Sequence, residues 1–366
     1  MMRAIRVSKL GGPHVLQLSE NVPIPEVEPR KVLIRVKAAG VNPVDTYIRE
    51  GNFAYSFPLP YTPGKDGAGV VEEVGEGVSN VKRGERVFFS NRDTKNTHGT
   101  YAQYCLMNDT DVWRLPERLS FEKGAALGVP YFTAYRSIVL KAKAQASHRL
   151  LVHGASGSVG TAAIQIAKHL VGCHVAGTAG TSYGMELVKS LGADFTACHK
   201  QKDYLPKIME WTEGQGLDVI IEMLANVNLD NDLTLLGKNG VVIVVGNRGP
   251  TKIDARHMMG KETSIIGESL FASTQEEWQA TAEAVVKGIE DGWLDPVMDR
   301  TYALGDAKAS HHDIINSKGA KGRLIINPDP LPMRAICTLL WYHAFLYFTA
   351  IFIRSLLFYD VAKQGV

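Results

Sequence analysis

The stretch Leu150-Leu151-Val152-His153-Gly154-Ala155-Ser156-Gly157-Ser158-Val159-Gly160 decides the fold. Three apolar residues make a short buried strand. The glycines at 154, 157 and 160 follow at once, with GxxGxxG spacing. Val159, Ala162, Ala163, Ile166, Ala167 and Leu170 then recur at helical intervals. A strand, a glycine turn and a helix in that order aim backbone N–H groups and a helix N-terminus at one point, the geometry that suits a pyrophosphate. A glycine triplet alone would equally serve close helix–sheet packing; the strand–turn–helix context favours the cofactor reading.

Outward from this unit the same rhythm continues. Apolar strand segments start at Val175 and recur at Val219–Ile221, Val241–Val245 and Ile265–Ile266, with helix-length spacers between them. Such alternation predicts a parallel, doubly wound sheet over residues 126–270. Residues 1–125 read differently. Val32, Ile34 and Val36 alternate with Leu33, Arg35 and Lys37, further short strands are bounded by Gly, and Pro punctuates the loops. Past 270, Trp278, Ala282, Val285, Val286 and Ile289 form one amphipathic face. Leu324-Ile325-Ile326 is a last strand, expected to return to the first domain.

Length and composition fit this two-part plan. The chain has 366 residues, 45% hydrophobic and 21% charged, with a formal net charge of +2. Those values exclude a mainly disordered chain and a strongly basic nucleic-acid binder. Its four cysteines, Cys105, Cys173, Cys198 and Cys337, have no CxxC spacing, which argues against a structural zinc site. The first residues have no apolar signal core, so a cytoplasmic location is expected.

The second strand of the parallel sheet should end near Gly177-Thr178-Ala179-Gly180-Thr181-Ser182. Sites selective for NAD place an Asp or Glu there, on the ribose 2′-hydroxyl. The first acid here is Glu186, so NADPH is the expected cofactor.

Three longer runs carry a family likeness: Gly128-Val129-Pro130-Tyr131-Phe132-Thr133-Ala134-Tyr135, the glycine turn, and Ile221-Glu222-Met223-Leu224-Ala225-Asn226-Val227-Asn228. With Val41 to Arg49 and Leu59 to Gly64, they closely resemble the zeta-crystallin family. Its members are the NADPH-dependent quinone oxidoreductases of the medium-chain dehydrogenase/reductase superfamily. The likeness runs from about Arg3 to Asn327. It implies an α/β chain with two domains: a GroES-like β-rich catalytic domain from 1–125 and 271–327, and a Rossmann domain at 126–270. Carried over by motif, the cofactor contacts are Tyr47, Ser156, Gly157, Ser158, Val159, Gly180, His199, Asn228, Val245, Gly246, Asn247, Arg248, Glu268, Ser269 and Leu270. Asn42, Asp45, Tyr47 and Thr133 fall near the nicotinamide, and Asn42, Tyr47 and Thr133 are the candidate catalytic residues. The resemblance also suggests a homotetramer, and admits a lens structural role or AU-rich RNA as a partner.

Zinc-dependent members of that superfamily use Cys and His-Glu ligands in segments that read here Val41-Asn42-Pro43-Val44-Asp45 and Gly64-Lys65-Asp66-Gly67. Neither carries Cys or His, so no metal is expected. The adjacent pair His311-His312 would point about 100° apart on a helix. Without a Lewis acid, the expected reaction is reduction of an already electrophilic acceptor, a quinone. A 2-alkenal or enone is the alternative.

The tail 328–366 is not family-like. Ala335 to Ile353 is apolar except for Thr338, His343 and Thr349, and as a helix would extend about 28 Å. It reads as an aberrant or alternative C-terminal end without a catalytic role, with a membrane anchor or an oligomer contact as the other readings.

Overall fold

Branched apolar side chains alternate with charged ones from Lys31 to Gly40, and this stretch is the central strand of an antiparallel β domain. The computed structural model describes residues 1–52, 57–93, 95–317 and 319–329, and Met1–Pro328 form one compact unit. The apolar tail lies outside the described residues.

The strands, in chain order, are β1 (Met2–Arg6), β2 (Gln17–Val22), β3 (Lys31–Gly40), β4 (Asp66–Val74), β5 (Arg86–Ser90), β6 (Tyr104–Asn108), β7 (Val112–Arg114), β8 (Arg149–Val152), β9 (His174–Ala179), β10 (Phe195–Cys198), β11 (Leu217–Glu222), β12 (Leu236–Val244), β13 (Ser264–Gly267), β14 (Met298–Ala303) and β15 (Arg323–Asn327). One sheet runs β14-β15-β3-β4-β5-β7, with β6 also paired to β3. Thus β15, more than 280 residues after β3, pairs antiparallel with it at Ile325–Gly40 and Ile326–Ala39. The other sheet is parallel, in the order β10-β9-β8-β11-β12-β13.

The parallel strands are buried on both faces, which is why they read as apolar runs rather than alternations. Leu150 and Val152 join a core with Ala163, Phe132 and Trp278, whereas Leu151 joins one with Ala176, Ile220 and Leu233. The first of these cores also contains Phe88, Ala68 and Ile325 of the antiparallel sheet, so apolar packing is continuous between the two sheets. At its centre Phe132 meets Trp278 edge-on, ring centroids 4.7 Å apart. Trp278 sits on the helix Gln275–Asp291, started by a Thr274–Glu277 capping box.

One element departs from its sequence pattern. The stripe from Val159 to Leu170 predicts a continuous helix, but the α-helix spans Ser158–Gln165 and widens to a π-helix over Ile166–Val171. The wider turn rotates the last stripe residue off the core, and Leu170 is exposed. Among the described residues no helix is long and apolar enough to cross a membrane.

Candidate functional site

The candidate cofactor residues gather at one edge because parallel strands deliver all their carboxyl ends to the same side. Reading along the sheet, His199 follows β10, Gly180 follows β9, the glycine turn follows β8, Val245 and Gly246 follow β12, and Glu268 follows β13. Asn228 stands on the helix Ala225–Leu235 that follows β11.

At the glycine turn, Gly154 has φ +56°, a left-handed conformation that glycine takes without strain. Ala155 N–H donates to the Thr178 carbonyl at 2.8 Å, which ties the turn to β9. A Cβ on Gly160 would lie 2.5 Å from the Gly154 carbonyl, so the helix Ser158–Gln165 can approach the turn only with glycine there. Gly157 caps that helix; no side chain caps it and its first turn carries no acid. Its leading N–H groups and the positive end of its dipole therefore face outward for an anion. At Gly180 a Cβ would sit 2.9 Å from His199 Nε2. Lys200 borders the same spot, and Lys321 lies 4.8 Å over the Tyr183 ring beside it. An uncapped helix start, a groove kept clear by glycines and flanking cations fit a pyridine dinucleotide.

The other predicted contacts differ in what they present. Arg248 is exposed; its backbone N–H donates to Asn226 Oδ1 at 3.0 Å. Asn247 and Ser269 are exposed and Leu270 is buried. The Glu268 side chain is engaged elsewhere: its Oε2 accepts from Arg136 at 2.8 Å, and Arg136 also holds Glu277 at 3.1 Å. Its Oε1 is buried without a hydrogen-bond partner, and its backbone N–H donates to the Val244 carbonyl at 2.9 Å.

Directly behind the turn lies a polar trio that sequence reasoning did not single out. His153 Nε2 is 2.8 Å from Asp232 Oδ1 and 3.7 Å from Glu222 Oε2, and all three residues are buried. His153 Nδ1 faces Thr178 Oγ1 at 3.2 Å. Glu222 Oε1 accepts from Asn228 Nδ2 at 3.2 Å and from the Leu224 N–H. Glu222 Oε2 and Asp232 Oδ2 have no donor. Burial raises both carboxyls to about 7 and lowers His153. Through Glu222 the trio holds the Asn228 side chain.

In the antiparallel domain the candidate catalytic residues meet a second buried network. Asn42 caps the helix Pro43–Glu50, its N–H donating to Asp45 Oδ2 at 2.9 Å. Its side-chain amide donates to Asp66 Oδ2 at 2.9 Å, and its oxygen accepts from Arg323 at 2.6 Å. Asp66 also receives Ser90 Oγ and the Val129 N–H, each at 2.9 Å, and pairs with Arg323. Both ends of the Asn42 amide thus have protein partners. Tyr47 is half-buried on the same helix, and Thr133 is buried on the helix Gly128–Tyr135. Asp45 accepts from Tyr101 OH at 3.3 Å; Tyr101 OH lies 3.2 Å from His311 Nε2, and Arg49 donates to His311 Nδ1 at 2.9 Å. Because arginine only donates, His311 Nδ1 is the acceptor and Nε2 carries the hydrogen. Burial agrees, holding His311 down to about 3, and it raises Asp45 to about 7. His312 points to solvent, so the two histidines diverge as their spacing requires. The signal for Asp66 and Arg323 lies in charges set inside apolar, glycine-bounded strand segments.

Comparison with known proteins locates this arrangement. The family described as alcohol dehydrogenase GroES-like domain matches residues 28–117, and that described as zinc-binding dehydrogenase matches 158–287. The quinone oxidoreductase of Rattus norvegicus is 51% identical over 327 residues, covering 89% of this chain and 98% of that protein. A solved structure described as an NAD-dependent alcohol dehydrogenase superposes with a TM-score of 0.83 at 27% identity, over 90% of this chain and 100% of the other. A mycobacterial protein solved with NADPH superposes with a TM-score of 0.80, also at 27% identity, over 90% of this chain and 100% of the other.

Proposed function

The chain belongs to the quinone oxidoreductase family of the medium-chain dehydrogenase/reductases, and from that premise we propose that it reduces quinones with NADPH. The observation that carries the reading is the uncapped start of the helix Ser158–Gln165, set behind the glycine turn at the carboxyl edge of the parallel sheet. Ser158 and Val159 N–H groups hold the pyrophosphate there. His199, Lys200 and Lys321 surround the end of β9, where no acid competes for the ribose, and they favour a 2′-phosphate. Asn228, Val245, Gly246 and the backbone of Glu268 to Leu270 line the edge toward the antiparallel domain, and Tyr47 closes it from that domain.

Bound NADPH supplies the hydride. The chain's own work is to align the acceptor and to keep bulk water out. The trio behind the turn holds Asn228 still, and the Asn42–Asp66–Arg323 network holds the helix that carries Tyr47. The domain limits we assign are 1–125 with 271–327, and 126–270. We place the protein in the cytoplasm as a homo-oligomer.

The test measures cofactor oxidation and binding. NADPH consumption should depend on added ortho-quinone and exceed that with a 2-alkenal. Fluorescence titration should give NADPH at least tenfold tighter than NADH, about 1.4 kcal/mol. Equal affinities refute the 2′-phosphate assignment; turnover with the alkenal alone refutes the quinone.

A further inference from the structure

We propose that Lys321 is the residue that selects NADPH over NADH: its ammonium, carried on the segment that leads into β15, takes the 2′-phosphate at the end of β9. Lys321 lies outside the stretch of chain that builds the parallel sheet, and the assignment rests on the NADPH reading above.

The starting point is what the end of β9 lacks. In a dinucleotide site the residue at that strand end meets the adenosine ribose. Here Gly180 has no side chain, and the Thr181 hydroxyl is engaged: its Oγ1 accepts from the Gly184 N–H at 3.0 Å and caps the helix Ser182–Ser190. The first turn of that helix carries no acid. The strand end therefore brings neither a charge that repels a phosphate nor one that binds it. His199, beside Gly180, is held below its ordinary value by burial, so at neutral pH it donates as a neutral ring.

A second segment supplies the charge. Gly322 N–H donates to the Ser156 carbonyl at 2.8 Å, Ser158 Oγ donates to the Gly322 carbonyl at 3.0 Å, and Gly157 and Gly322 pair as a parallel bridge. Three residues earlier, Gly319 packs on Thr181: a Cβ there would come 3.0 Å from Thr181 Cγ2, and its φ of +139° is open to glycine. The segment is thus fixed at one end to the turn that takes the pyrophosphate and at the other to the end of β9. Lys321 stands between those two points. Its ammonium lies 4.8 Å over the ring of Tyr183, two residues past Thr181.

Both side chains are open to solvent, with Tyr183 55% exposed, so a ligand can reach the lysine directly. The ring holds the ammonium in place, and no carboxylate pairs with it among the described residues. An aromatic face holds an exposed cation weakly, whereas a phosphate dianion offers charge-assisted hydrogen bonds, so the lysine can leave the ring for the phosphate. The cofactor's own covalent structure makes the placement selective. The 2′-phosphate and the pyrophosphate hang from the same ribose, and Lys321 is one residue from the contact with the glycine turn. NADH has only a hydroxyl at that position and gains no ionic contact.

The experiment titrates NADPH and NADH by fluorescence against wild type, Lys321→Ala, Lys321→Arg and Lys287→Ala. The last removes the same charge from an exposed position on the helix Gln275–Asp291. Lys321→Ala should weaken NADPH at least tenfold and leave NADH within twofold. Lys321→Arg should keep the preference within threefold of wild type, and Lys287→Ala should move neither affinity by more than twofold. As a readout without nicotinamide, 2′,5′-ADP should raise the melting temperature of wild type more than that of Lys321→Ala, whereas 5′-AMP should shift both alike. Lys321→Ala that keeps the wild-type preference, or that weakens both cofactors equally, would overturn the assignment; the second result would mean that the lysine only shapes the groove. A loss in Lys287→Ala as large as that in Lys321→Ala would trace the effect to net charge and overturn it too. Wild-type protein with equal affinities would instead refute the NADPH reading itself, and the assignment with it.

Discussion

Arg323, the first residue of β15, is buried against Asp66, the first residue of β4, although 257 residues separate them. The pair fastens the last strand of the antiparallel sheet to its centre and, through Asn42, to the helix that carries Tyr47. Two desolvated charges gain little net stability from each other, but removing one strands its partner in a place water cannot reach.

Arg323→Met is therefore expected to destabilise the protein by about 3–5 kcal/mol. Asp66→Asn keeps an acceptor for Ser90 and Val129, but it leaves the Arg323 charge unpaired and turns an amide NH2 toward two donors, so it should cost at least as much. Urea unfolding followed by tryptophan fluorescence checks the order. A loss under about 1 kcal/mol in either variant would mean that the ion pair is not what anchors β15.

At the glycine turn two substitutions should separate binding from folding. Gly157 has φ −80°, and a Cβ there would meet the Gly154 carbonyl at 3.3 Å, a tight but tolerable approach. Aspartate at that position would cap the helix, as aspartate does well. Gly157→Asp should keep the melting temperature at or above wild type while NADPH affinity falls at least a hundredfold. Gly160→Ala drives its Cβ into a backbone carbonyl at 2.5 Å and should lower the melting temperature instead. A Gly157→Asp protein that retains wild-type affinity would show that phosphate binds elsewhere.

The buried trio predicts a pH signature of stability. Glu222 and Asp232 are raised to about 7 in the folded protein, against roughly 4 in an unfolded chain. Between those values the folded state holds more protons than the unfolded one, so this contribution falls as pH rises and levels off above about 7. His153, lowered by burial, acts oppositely, its contribution rising with pH until about 6.5. Asp232→Asn removes one of the two carboxyls and can still accept from His153. Its stability relative to wild type should increase from pH 5 to pH 7 and then hold level. Parallel stability curves for the two proteins would mean that the carboxyls do not share a proton.

The legible parts of the fold are those written locally. The unit from Leu150 to Gln165 carries its strand, turn and helix within sixteen residues, and each follows from periodicity and glycine spacing. The edge that gathers His199, Gly180 and Val245 follows from parallel topology once the strands are recognised. What escaped was non-local. Nothing near Asn42 announces that Asp66 and Arg323 will occupy its amide, and nothing near Glu268 announces Arg136. The carry-over by motif named Asn42 and Glu268 as site residues; the Asn42 amide is held by Asp66 and Arg323, and Glu268 Oε2 by Arg136. The widening after Gln165 also has no signature in the apolar stripe.

The approach to β15 sets a length. Gly322 N–H donates to the Ser156 carbonyl at 2.8 Å, and its own carbonyl accepts from Ser158 Oγ at 3.0 Å. The very next residue is Arg323, locked to Asn42 and Asp66. One peptide unit thus spaces the glycine turn from the Asn42–Asp66–Arg323 network, as a gauge block spaces two jaws. Adding a residue between Gly322 and Arg323 would change more than that spacing: in a strand it sends every following side chain to the opposite face. Arg323 would point away from Asp66, and Ile325 and Ile326 would exchange cores. Short surface connections ordinarily accept insertions; this junction should reject even a single alanine, and it is the wrong place to graft a tag or a second domain.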